Sequence, residues 1–243
     1  MSLRSTFASG ALVPSLLGGL TAILVLPLFI FATGPVSGAH LNPTITIATF
    51  FGRLATLPRC ILYVTFQTFG GAMAGLLLRA SFDTRSVISH AFDGREELIL
   101  MHLYSCYIDS SKVSAGNAFA IEFTTDFALI FLSFSVGLDP RQRSVFGPAL
   151  GPIFVGIVLG TFVLVILDSV SFRTIFCQIW NTNNPKAGNP ARCFGAMVGS
   201  HFASYHWIHW IAPLCASIIH GVLYYFIPPY SRKRISDVTD GTS

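Results

Sequence analysis

Ser37-Gly38-Ala39-His40-Leu41-Asn42-Pro43-Thr44 and Gly188-Asn189-Pro190-Ala191-Arg192-Cys193-Phe194-Gly195 are the two stretches whose reading decides the fold. Each places Asn-Pro where an apolar run is interrupted. Asn caps a helix N-terminus with its side-chain oxygen, and Pro suits the first helical position, where an N–H has no partner anyway. Each stretch therefore reads as the start of a short helix. The apolar runs behind them, residues 45–51 and 194–198, are too short to cross a bilayer, which takes about 20 residues. They read as re-entrant half-helices. Two of these, one per half of the chain, aim their positive N-terminal ends at one midplane site, and that is a pore design.

Composition agrees. The 243 residues are 52% hydrophobic and only 11% charged, and the mean hydropathy is +0.64. Soluble domains carry about 25% charged residues, so this chain reads as an integral membrane protein. The net charge of +4 is small and its basic residues are scattered over loops and a tail, which leaves no nucleic-acid footprint. Five stretches qualify as spans: 11–33, 59–78, 118–138, 148–167 and 208–227. The opening Met-Ser-Leu-Arg resembles a signal peptide, but the run that follows is longer than a signal core and flows into the first Asn-Pro, so it reads as a retained span.

Non-helical backbone survives at membrane depth only where it lines a cavity or is buried in protein. The Gly-containing approaches, 34–38 and 186–188, accordingly read as pore-lining backbone. Arg53 and Arg59, Arg141 and Arg143, and the tail cations Arg232, Lys233 and Arg234 fall on one side, assigned to the cytoplasm with the C-terminus. The loops 81–117 and 168–184 then lie outside. Gly71 and Gly75, Gly156 and Gly160, and Gly195 and Gly199 repeat Gly-x-x-x-Gly, a spacing that lets helix backbones approach closely in lipid. The five cysteines show no metal-type spacing. Their odd number argues against a disulfide framework, although Cys106 and Cys177 would be able to pair if both loops face outside.

Ser-Gly-Ala-His-Leu-Asn-Pro followed far downstream by Asn-Pro-Ala-Arg resembles the aquaporin (major intrinsic protein) superfamily. Gln67 ahead of Gly70-Gly71 and Glu122 early on the third span match it too, and the resemblance runs from residue 11 to about residue 229. The Asn-Pro-Thr form of the first motif, the Arg192-Cys193 continuation of the second, and Gly137-Leu138-Asp139-Pro140-Arg141-Gln142 look most like the X (uncategorised) intrinsic proteins of fungi and plants. The resemblance implies an all-α membrane protein: an aquaporin-like right-handed helical bundle with five full spans and two re-entrant half-helices. It implies a plasma-membrane homotetramer that is a passive channel for water and small neutral solutes, with no catalytic residues, cofactor or metal. The family has an inverted repeat of three plus three spans. Here one full span precedes the first motif, so residues 11–80 read as an incomplete first repeat. Residues 118–230 read as a complete second repeat, and 231–243 as a tail.

The resemblance also distributes roles. Asn42, Pro43 and Thr44, with Asn189, Pro190 and Ala191, form the paired motifs. The two Asn side chains cap their half-helices and offer amide N–H groups to the lumen. Arg192 belongs to the outer constriction, donating to the solute and repelling cations. Counting back from Asn42 along the first span reaches Ala22, and aligning Gly156 and Gly160 reaches Val163, with Thr161 as the alternative. The loop position before Asn189 is Ala187 or Lys186. Water-selective relatives use a bulky aromatic and a His at this level, so Ala22 and Val163 imply a wider, less polar constriction that passes glycerol, urea or hydrogen peroxide. His40 supplies a backbone carbonyl to the lumen, and its ring reads as a structural partner. Glu122 accepts from loop backbone near the second half-helix. Asp126, one turn further on, has no assigned role. Cys193 reads either as a mercurial target reached from the pore or as a packed small residue. His201, His206 and His209 among Trp207 and Trp210 read as an interfacial belt or a metal site. The competing reading of the whole is a truncated, non-conducting membrane protein or subunit of the same fold.

Overall fold

The computed structural model describes residues 12–82, 106, 108, 113–140, 143–167, 188–200 and 202–227, without the side chains of 12–18, 143–144, 147–148 and 163–167. Among these residues all regular structure is helical: α1 (Leu12–Ser37), α2 (Pro43–Phe51), α3 (Leu57–Phe82), α4 (Ala115–Ser133) running into a π turn (Phe134–Leu138), α5 (Arg143–Leu167), α6 (Pro190–Gly199) and α7 (Ile208–Phe226). α1, α3, α4 with its π turn, and α7 are long and apolar enough to cross a membrane. α5 has 25 residues, and among its described side chains Ala149–Phe162 form an apolar helical stretch. The nine-residue α2 and ten-residue α6 are too short to span.

In lipid, apolar side chains gain nothing from leaving water, so helices associate by close packing. The glycine pairs do this. α3 lies on α6 and α1 lies on α5. A Cβ on Gly71 would fall inside the carbonyl oxygen of Ala191, and one on Gly195 inside that of Gly71. A Cβ on Gly199 would stand 2.6 Å from the carbonyl oxygen of Gly75. On the other seam, a Cβ on Gly160 would stand 2.7 Å from the carbonyl oxygen of Gly19, and Gly156 takes the ring of Pro27. All three Gly-x-x-x-Gly pairs therefore sit at helix crossings. α7 closes the other side, packing on both α4 and α2 around a core of Ala48, Ile130, Phe134 and Ala216.

One boundary differs from the sequence reading. Residues 34–37 were expected as non-helical pore lining, yet α1 continues through Ser37 despite Pro35. Proline removes one backbone bond, and membrane helices tolerate that when neighbouring groups absorb it. Here the Gly38 N–H donates to the Gly34 carbonyl at 2.8 Å, closing the last turn. In the approach to α2, non-helical backbone is confined to residues 38–42, where Gly38 (φ +78) and Ala39 (φ +52) turn the chain. Both half-helices start where the Asn-Pro reading puts them, at Pro43 and Pro190. Residues 186–187, 168–184, the tail and most of the loop 81–117 lie outside the described residues.

Candidate pore

Both Asn-Pro stretches fold as capping chemistry requires. Asn42 (φ −145, ψ 125) and Asn189 (φ −155, ψ 106) are extended N-caps, each followed by Pro at the first helical position. Asn42 Oδ1 accepts the Thr44 N–H at 2.9 Å. Asn189 Oδ1 accepts the N–H groups of Ala191 at 3.1 Å and Arg192 at 3.3 Å. Pro43, Pro190 and Ala191 are buried.

The amide ends of the same side chains reach across the molecule. Asn42 Nδ2 donates to the Gly188 carbonyl at 2.6 Å, and Asn189 Nδ2 donates to the Leu41 carbonyl at 3.1 Å. Each cap of one half-helix thus holds the backbone that leads into the other, and the two N-termini meet. An amide nitrogen carries two hydrogens, so each Asn keeps one donor beyond this latch.

The approach to α2 is tied down carbonyl by carbonyl. Tyr63 Oη donates to the Ser37 carbonyl at 2.7 Å, Gln67 Nε2 to the His40 carbonyl, and Asn189 to that of Leu41. The His40 ring meets the Tyr63 ring edge-on, with centroids 5.8 Å apart. Thr44 is fully buried, and its carbonyl accepts the Ser217 hydroxyl at 2.8 Å. Sequence reasoning missed Tyr63 and Ser217. Tyr63 lies one turn before Gln67 on α3, and that spacing was the available signal.

Around α6 the buried Glu122 accepts the Gly188 N–H at 3.2 Å. Its Oε1 is also 3.5 Å from Nδ1 of the fully buried His209. Nε2–H of that His donates to the Cys106 carbonyl at 2.8 Å, and Cys106 is disulfide-bonded to Cys193. A chain of contacts therefore runs from the backbone before Asn189 through α4 and α7 to residue 106 and back into α6. This decides between the two readings of Cys193 and corrects two expectations. Cys193 carries no free thiol and is not a mercurial target while the bridge is closed. Cys106 pairs with Cys193 and not with Cys177, which lies outside the described residues. His209 is a buried bridge and not part of an interfacial belt. Trp210 Nε1 donates to His206 Nε2 at 3.2 Å. Burial, with His209 nearby, holds His206 below the usual histidine pKa, which suits the neutral acceptor role. His201 lies outside the described residues. Among the described residues no group of three or more His, Cys, Asp or Glu side chains is placed to hold a metal.

Arg192 is in the first turn of α6 with an exposed side chain, close enough to Glu122 to interact electrostatically. Ala22 is half-buried on α1. Val163 belongs to α5, but its side chain lies outside the description, as do Ala187 and Lys186 altogether. Asp126 is fully buried, and among the described residues neither of its oxygens has a hydrogen-bond partner.

A helical bundle in which two capped half-helices, too short to span, meet at their N-termini through reciprocal bonds defines a class of multi-pass membrane protein built around a midplane site. Residues 15–225 match the family described as Major intrinsic protein, and the chain belongs to that family. It is 30% identical over 199 residues to probable aquaporin TIP3-2 of Arabidopsis thaliana, covering 80% of this chain and 61% of that relative. It is 30% identical over 198 residues to aquaporin-5 of Mus musculus, covering 81% and 63%. To aquaporin TIP1-1 of Arabidopsis thaliana it is 27% identical over 226 residues, covering 92% and 77%. The chain thus spans about three-fifths of the length of the first two relatives.

Proposed function

We propose that the protein is a passive transmembrane channel for water and small uncharged solutes such as glycerol, urea or hydrogen peroxide. The observation that carries this reading is the reciprocal latch between Asn42 and Asn189, which brings two half-helix N-termini together and leaves one amide donor on each. A water in the lumen would accept from both amides, turning its hydrogens away along the file. Such a water cannot relay a proton, and the half-helix dipoles add a barrier to cations. Arg192 donates to the passing solute at the outer end. Ala22 and Val163, with Ala187 or Lys186, complete the constriction; the modest apolar side chains of Ala22 and Val163 favour solutes wider than water, whereas Lys186 in the lumen would crowd and charge it. The Asn-Pro-Thr and Asn-Pro-Ala-Arg-Cys pairing supports placement with the X intrinsic proteins. The cation distribution supports a cytoplasmic C-terminus, and family membership supports a homotetramer in the plasma membrane.

Flux into reconstituted vesicles tests this. Light scattering should report water entry and glycerol entry well above empty vesicles, and Arg192→Ala should raise glycerol entry relative to water. Folded protein with no flux of either solute, or with water flux and no glycerol flux, would overturn the channel or its selectivity respectively.

A further inference from the structure

At the end of the bundle where α3 begins and α7 ends, a groove of about 730 Å³ opens outward. Arg53 and Arg59 line it together with Leu54, Val222, Tyr225 and Phe226. Its apolar wall is exposed: Phe226 shows 72% of its surface and Tyr225 48%. No carboxylate is among its lining residues. The spans Leu57–Ser81 and Ile208–Phe226 both terminate here, so the groove lies at the level where hydrocarbon gives way to headgroups. The Arg53 guanidinium stacks 4.6 Å from the Tyr225 ring centroid, an arrangement that leaves the N–H groups at its edge available to an anion. Arg53 also adopts φ +56. That conformation is the left-handed turn that ends α2, with the Arg53 N–H on the Phe50 carbonyl at 3.0 Å and the Leu54 N–H on the Thr49 carbonyl at 2.8 Å.

We propose that this groove binds one anionic phospholipid, with the headgroup phosphate on Arg53 and Arg59 and an acyl chain along Leu54, Val222 and Phe226. Cations alone would suit any anion, and an apolar wall alone would suit any lipid. Their juxtaposition at the end of two spans selects an anionic amphiphile. Arg232, Lys233 and Arg234 follow α7 in the sequence, and cations flanking a span are expected on the leaflet side rich in anionic lipid. The inference is independent of whether the pore conducts.

Native mass spectrometry of the detergent-solubilised full chain, titrated with phosphatidylserine or phosphatidylcholine, tests it. The expected result is one phosphatidylserine per chain, held at least fivefold more tightly than phosphatidylcholine. The double variant Arg53→Gln/Arg59→Gln should weaken phosphatidylserine at least tenfold, since each such cation contributes about fivefold near an anionic headgroup. Arg79→Gln, at the far end of α3, should change nothing. Inorganic phosphate at equal concentration should not displace the lipid. Equal affinity for the two lipids, an undiminished preference in the double variant, the same loss in Arg79→Gln, or full displacement by phosphate would each overturn the proposal. If Arg53→Gln does not fold, as judged by gel filtration, Arg59→Gln alone, on regular helix, should still weaken phosphatidylserine about fivefold, and an unchanged affinity there would overturn it equally.

Discussion

Asn42 and Asn189 each do two things with one side chain, and substitution can separate them. The oxygen caps a half-helix, a contribution of about 1 kcal/mol. The amide holds the opposite loop through one hydrogen bond, also about 1 kcal/mol. Asn42→Ala loses both and should destabilise by about 2 kcal/mol in reversible unfolding of the detergent-solubilised protein. Asn42→Asp keeps the cap but sets a carboxylate against the Gly188 carbonyl, so it isolates the latch. If Asn42→Asp unfolds no more easily than the parent, the 2.6 Å bond to Gly188 has no energetic weight. The two latches join the same pair of loops. Asn42→Ala with Asn189→Ala should therefore cost less than the sum of the single changes, and strict additivity would argue that the loops are held independently. The caps were legible from sequence because Asn-Pro is a local rule. The latch was not, because it depends on residues 146 positions apart meeting in one register.

At the scale of helices, the glycine seams give opposite expectations for neighbouring residues. Gly71→Ala drives a methyl group into the Ala191 carbonyl, and Gly195→Ala drives one into that of Gly71. Backbone cannot rotate aside as a side chain can, so each should destabilise by about 1–3 kcal/mol or more. Gly70 meets nothing within 4 Å. There Gly70→Ala removes backbone freedom from the unfolded chain and should be neutral or stabilising by up to about 1 kcal/mol. Melting of the three variants in one detergent decides it: equal losses at positions 70 and 71 would refute the seam. The spacing made these crossings readable from sequence, while their partners became known only from the packing. Pro35 misled in the other direction. A proline signals a helix end in water, but α1 runs on through Ser37, where the Ser37 hydroxyl also donates back to the Thr33 carbonyl at 3.1 Å. His209 misled for a similar reason. A histidine among tryptophans reads as interfacial, and only the packing of α7 on α4 turns it inward to Glu122 and Cys106.

For the whole molecule, the Cys106–Cys193 bridge is the longest-range covalent constraint described. It ties residue 106 to α6 across a separation of 87 residues. Cysteine counting was unable to find it: five thiols in a membrane chain have no preferred pairing, and the partner of Cys106 depends on how the chain before α4 lies over α6. Closing a loop of this length restricts the unfolded chain, and its loss costs about 2–5 kcal/mol. The bridge also anchors the Cys106 carbonyl that receives His209, and His209 faces the Glu122 that holds Gly188. Breaking it should therefore loosen the N-terminus of α6 as well as the attached segment. A non-reducing peptide map should recover a Cys106–Cys193 cross-linked pair. Before reduction, a maleimide label should react with the partly exposed Cys215 faster than with the buried Cys60 and should leave residue 193 unmodified. Cys193→Ser should lower the unfolding midpoint. It should also speed amide hydrogen exchange in residues 190–193, while exchange in the matching turn of α2, which has no such bridge, stays unchanged. A cross-link of Cys106 to Cys177 would disprove the pairing, and equal acceleration in both half-helices would show that the bridge stabilises the bundle as a whole rather than the start of α6.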